Sequence, residues 1–169
     1  MKIKHLLVIL ITVILTMNSY AIKPNEDILN RAAMENMPPR MMMLIDSLEQ
    51  STPQVSIEDV KTKIDANDDF YLIDVRELDE WNKGRLPGAI FTTKGLIEYK
   101  IENIVPDPNA EIVIYCAAGY RSIISANNLI QMGYTNVASM KGGMNAWREA
   151  MYPVATDPKK TLMQRLFRK

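Results

Sequence analysis

Residues 111–130 read EIVIYCAAGYRSIISANNLI, and this stretch decides the fold. Ile112 to Tyr115 are apolar and β-branched or aromatic, as a buried strand requires, while Ser122 onward carries Ile123, Ile124, Ala126, Leu129 and Ile130 at helical spacing. Strand and helix are joined by a short turn whose only reactive side chain is Cys116, the single cysteine of the chain. A thiol placed there faces the first N–H groups of a helix, which lack partners within it, and the positive end of its dipole. Arg121, five positions on, adds a full charge. A free cysteine is often no more than a small buried hydrophobe. Here the neighbours favour a thiolate in an anion cradle: Ala117 and Ala118 are small, Gly119 is flexible, Tyr120 follows, Arg121 brings a fork-shaped donor, and Ser122 offers a hydroxyl to cap the helix.

Working outward, strands and helices alternate at short spacing. Val55 is a short extended piece, and Ser56-Ile57-Glu58-Asp59 resembles a capping box opening a helix through Ile64. Phe70 to Ile73 is a strand ending in Asp74-Val75-Arg76, followed by a helix from Glu77 through Trp81 that Gly84 stops. Arg85 to Ile90 is a turn returning to a short strand, and Leu96 to Ile104 is a helix ended before Pro106. Beyond the central element, Gly133-Tyr134 closes its helix, Asn136 to Met140 is a strand, and Gly142-Gly143 opens a last helix carrying Met144, Ala146, Trp147 and Ala150. Such alternation predicts an α/β fold with a mostly parallel central sheet flanked by helices, whose ligands sit at the carboxyl ends of strands. Asp74 and Cys116 both fall there.

The chain of 169 residues has room for one compact domain with extensions, and its 20 basic and 20 acidic residues cancel. Nothing in that balance asks for nucleic acid. Residues 1–21 read as a secretory signal, with Lys2 and Lys4, an apolar run from Leu6 to Leu15, and small residues at Ser19 and Ala21; the run is short for a membrane span, which needs about 20 residues. The expectation is export, to a periplasm-like compartment, with cleavage after Ala21; an uncleaved anchor is the alternative. Cleavage removes Lys2, Lys4 and His5, leaving 18 basic against 20 acidic residues and no histidine. A chain without histidine and with one cysteine runs no Cys-His or Ser-His relay and builds no His- or Cys-based zinc site. No metal and no cofactor is expected.

Residues 22–54 form a methionine-rich arm with two expected helices, one around Ile28 to Ala33 and one from Met41 to Leu48, divided by Pro38-Pro39. Met34, Met37, Met41, Met42 and Met43 cluster there; methionines bind copper(I) in some settings, but filling irregular apolar gaps is their commoner work. The arm is expected either to cover the domain or to meet a protein partner. Residues 55–155 are the domain, and 156–169 a basic amphipathic tail, with Lys159, Lys160, Arg165, Arg168 and Lys169 interleaved with Leu162, Met163, Leu166 and Phe167. Such a tail suits an anionic membrane surface, a partner or solvent.

Five segments in order, LIDVRELDEW from Leu72, GRLPGAI from Gly84, CAAGYRS from Cys116, GYTNV from Gly133 and KGGMNAW from Lys141, resemble the rhodanese family of sulfurtransferases. The resemblance implies a three-layer fold in which Cys116 takes sulfane sulfur from a donor such as thiosulfate, holds it as a persulfide and passes it to a thiophilic acceptor. It implies further that main-chain amides of Ala117, Ala118, Gly119, Tyr120, Arg121 and Ser122 cradle the sulfur and that Arg121 binds the anionic donor. The four residues between Cys116 and Arg121 match rhodaneses and are one fewer than in related phosphatases, so a phosphatase or arsenate reductase is the weaker reading. Asp74 and Arg76 match a strand-end pair that supports the loop. Arg85 stands where many members carry histidine and is expected to add positive charge near the entrance. A reading of another class keeps the loop but makes the chain a non-catalytic persulfide carrier or interaction module.

Overall fold

The computed structural model describes residues 37–156. Within them run α1 (Pro39–Ser51), β1 (Gln54–Val55), α2 (Ile57–Ala66), β2 (Tyr71–Asp74), α3 (Leu78–Asn82), β3 (Ile90–Phe91), a 3-10 turn (Lys94–Leu96), α4 (Ile97–Ile104), β4 (Ile112–Tyr115), α5 (Tyr120–Gln131), β5 (Val137–Met140) and α6 (Gly143–Glu149). The strands form one sheet in the order β1-β5-β4-β2-β3, every pairing parallel, with one antiparallel bridge between Arg85 and Ala155 outside the strands. The expected α/β architecture is present.

Alternation along β4 explains the layering. Ile112 and Ile114 point to one face, where Ile97, Ile101, Ala126 and Leu129 from α4 and α5 cover them. Val113 and Tyr115 point to the other, against Ile57, Val60, Met144 and Trp147 from α2 and α6. All four β4 residues are buried, as expected of a strand covered on both faces. The period of two therefore divides one run of apolar residues between two cores.

Helix α1 forms a further layer outside α5. Ile45 and Leu48 are buried against Ile123, with Met37, Met41, Tyr120 and Ile124 around them, so two of the clustered methionines fill gaps while Met43 is exposed. The helix begins earlier than the expected Met41. Pro38 is its N-cap and Pro39 its first residue, where a missing N–H costs nothing because helical partners are absent there anyway. The expected helix around Ile28 to Ala33, the signal in residues 1–21, Met34 and the basic residues of the tail lie outside the described residues. Among the described residues no helix is long and apolar enough to cross a membrane.

Candidate active site

Cys116 follows β4 directly and is 1% exposed. The main-chain N–H of Gly119 donates to its Sγ at 3.1 Å. The chain can turn this tightly because Gly119 takes φ of +102°, a region open to glycine and strained for residues with a Cβ. That conformation also corrects one expectation. Helix α5 starts at Tyr120 with Gly119 as its N-cap, so Ser122 lies inside the first turn and is not the cap. Its hydroxyl is 2.9 Å from the Gly119 carbonyl, 2.8 Å from Ser139 Oγ and 3.8 Å from Cys116 Sγ. Having one proton to donate, it serves the carbonyl, the sulfur or Ser139 Oγ, one at a time.

The loop is held from behind by the start of α6. Met144 N–H donates to the Cys116 carbonyl at 2.8 Å and Asn145 N–H to the Ala117 carbonyl at 2.9 Å. Across a planar trans peptide the carbonyl and the following N–H point in opposite directions, and none of the described bonds is cis. Turning these two carbonyls toward α6 therefore aims the amides of Ala117 and Ala118 away from it. Gly143 makes the approach possible. A Cβ there would collide with the Cys116 and Ala117 carbonyl oxygens, and its φ is +56°.

Arg121, on the first turn of α5, does not have its fork free. Its Nη1 and Nη2 donate to Glu80 Oε2 and Oε1 at 2.8 and 2.9 Å, and a Glu77 carboxylate oxygen stands 4.0 Å from Nη1. Hydrogen bonding to Glu80, foremost, raises the guanidinium pKa; the charge of Cys116 and a hydrogen bond to it act in the same direction, against burial. In return Arg121 lowers the pKa of Glu80. Tyr120 packs under α1, where burial first, then the charges of Glu49 and Cys116, raise its pKa.

Asp74 and Arg76 form a buried pair one strand away. Arg76 Nε lies 2.9 and 3.0 Å from the two Asp74 oxygens, and Nη2 donates to Oδ2 at 2.6 Å and to the Gly84 carbonyl at 2.8 Å. Burial works against the Arg76 charge, but the hydrogen bond to Asp74 and its negative charge outweigh it and raise the pKa. Tyr115, the residue before Cys116, accepts from Leu86 N–H through its hydroxyl at 3.1 Å; burial and neighbouring Asp74 push its pKa up. The pair thus braces the Gly84–Leu86 turn. Arg85 on that turn is laid over the Trp81 ring, 4.5 Å from its centroid, and Trp81 in turn meets Phe91. The aromatic face holds the guanidinium, which keeps its positive charge there.

Sequence reading did not pick out Glu80, Ser139 or Gly143 as site residues. A local signal existed for Glu80, whose carboxylate accepts from Glu77 N–H at 3.1 Å in the E-x-x-E spacing of a capping box. Ser139 and Gly143 owe their roles to how β5 and α6 dock.

A strand, a tight cysteine loop and a helix N-terminus at the carboxyl edge of a parallel sheet define a class of α/β proteins that handle anions through a thiol. The sequence model of the rhodanese-like domain matches residues 56–150, and the chain belongs to that family. It is 36% identical over 100 residues to "Putative sulfurtransferase YtwF" of Bacillus subtilis, covering 59% of this chain and 94% of that protein. It is 32% identical over 97 residues to "Putative sulfur carrier protein YrkF" of the same organism, covering 57% of this chain and about half, 51%, of that protein. Among solved structures, thiosulfate sulfurtransferase from Pseudomonas aeruginosa superposes with a TM-score of 0.61 at 27% identity, over 67% of this chain and 22% of that one. Family and relatives support sulfur transfer as the general chemistry of this chain.

Proposed function

We propose that the chain is a sulfurtransferase that moves sulfane sulfur from a donor such as thiosulfate to a thiophilic acceptor through a persulfide on Cys116. The observation that carries this reading is the Gly119 N–H on Cys116 Sγ, in a loop whose Cys116 and Ala117 carbonyls are turned away toward α6. Amides aimed at a sulfur anion stabilise it without any rearrangement during reaction. The Cys116 thiolate attacks the outer sulfur of thiosulfate; the donor S–S bond breaks and sulfite leaves with its electron pair. The acceptor, a thiolate or cyanide, then attacks the outer sulfur of the Cys116 persulfide, the new S–S bond breaks, and the Cys116 thiolate returns. No proton acceptor is needed in either step, which suits a domain without histidine.

A persulfide carrier serving a protein partner is the second reading, favoured by the burial of Cys116 and by the carrier name of one relative. Steady turnover of thiosulfate with cyanide supports the enzyme; a single loading without turnover supports the carrier. Cys116→Ser is expected to drop turnover to background with the fold intact, because a serine hydroxyl is not ionised at neutral pH and is a poor sulfur nucleophile. Retained turnover removes Cys116 from the mechanism. Export, with residues 1–21 as the signal, is part of the proposal, and protein recovered from its source cell is expected to begin at Ile22. A partner or membrane surface met by the arm or tail is likewise proposed, and removing residues 159–169 is expected to leave small-molecule turnover unchanged.

A further inference from the structure

The Glu80–Arg121 contact raises a question of donor choice. A guanidinium edge meets a carboxylate and a sulfonate by the same two-point geometry. In this chain both Nη groups of Arg121 are engaged by Glu80, and Glu80 is itself fixed by accepting from Glu77 N–H. Side chains 26% and 28% exposed place the pair at the rim rather than in the core. A dianionic donor reaching the fork must displace a carboxylate tethered to α3 and then sit beside it, with Glu77 also near. The persulfide of a thiol without an acid group, such as 2-mercaptoethanol, carries its charge on the sulfurs and has no oxyanion head to place on the fork.

Resting on the sulfurtransferase reading, we propose that Glu80 determines donor specificity, masking Arg121 against small dianions such as thiosulfate and favouring sulfur delivered from the persulfide of a thiol without an acid group. Glu80 acts through Arg121 and is a positioning residue. Its carboxylate competes for the donor site, so neutralising it frees the fork without altering the loop that holds the sulfur. Glu77, farther from Arg121, contributes less.

The test compares Glu80→Gln, which keeps the shape and the acceptor for Glu77 N–H, with the unaltered chain. The KM for thiosulfate is expected to fall about tenfold, the scale of one charge-assisted hydrogen bond, while kcat/KM with the persulfide of 2-mercaptoethanol changes less than about twofold. A second measurement needs no sulfur transfer: the ratio of Cys116 alkylation rates by iodoacetate and by iodoacetamide, reagents of similar size that differ in charge. That ratio is expected to rise about tenfold in Glu80→Gln and less in Glu77→Gln. If Glu80→Gln leaves both the thiosulfate KM and the alkylation ratio unchanged, the masking role is overturned. If the unaltered chain turns over neither donor while the ratio still rises, the sulfurtransferase reading fails and the masking of Arg121 stands. Should Glu80→Gln fold poorly, Glu80→Ala is read by the same ratio.

Discussion

Asp74 and Arg76 meet with side chains 0% and 2% exposed, whereas Glu80 and Arg121 meet with 26% and 28% exposed. Both are arginine–carboxylate pairs joined at two points, and both stand near the Cys116 turn. In the buried pair Asp74 also accepts from Arg76 N–H at 3.0 Å and the arginine reaches on to the Gly84 carbonyl. Taking one partner away would leave a charge in a dry setting with nothing to replace it. In the rim pair, water can solvate either partner and an incoming anion can take the place of Glu80. The same chemistry thus becomes framework at one depth and an exchangeable contact at another, and burial decides which.

Breaking the buried pair gives the largest expected effect. Arg76→Leu leaves Asp74 charged and unpaired and is expected to destabilise the domain by about 3–5 kcal/mol, read as a lowered urea midpoint with unchanged slope. A loss under about 1 kcal/mol would place this pair with the rim pair and remove the contrast.

Arg121→Lys comes next and acts on chemistry more than on stability. A compact ammonium keeps the charge but loses the two-point edge, so the thiosulfate KM is expected to rise severalfold while stability changes by less than about 1 kcal/mol. An unchanged KM would show that Arg121 does not touch the donor.

The smallest effect is a pH dependence of the rim pair. Because its Arg121 partner holds the Glu80 pKa below the usual glutamate value, the stabilisation from this pair is complete above that value, about 4.3, and is lost as pH falls through the depressed one. The difference in Tm between the unaltered chain and Glu80→Gln is expected to stay constant from about pH 8 to 5 and to close only below about 4.3. A difference that closes nearer neutrality would mean that the contact with Arg121 does not hold the carboxylate charged.

The central strand–turn–helix was readable because Ile112 to Tyr115 and Ile123 to Ile130 carry two different periods and Gly119 separates them. The site's cysteine, arginine and small residues came with it, since they lie within seven positions of one another. Partners brought from far along the chain were not readable. Glu80 and Arg121 are 41 positions apart, and nothing local states that α3 lands beside α5. Ser122 was misplaced as a cap because the hydroxyl rule favours serine, whereas a left-handed Gly119 started the helix earlier. The helix after Pro38 was expected from Met41 but begins at Pro39, because the first turn of a helix accepts proline.

Gly143 has a consequence for motion. Its lack of a Cβ lets Met144 and Asn145 give their amide protons to the carbonyls of Cys116 and Ala117, and Trp147 one turn later is 0% exposed in the core. The Cys116 turn cannot swing away from α6 without exposing those two amides. Exchange at these two amides therefore requires the turn and the start of α6 to part, while Trp147 can keep the rest of the helix in the core. Hydrogen exchange at Met144 and Asn145 thus reads the free energy of opening the turn, a measure of the site that needs no substrate.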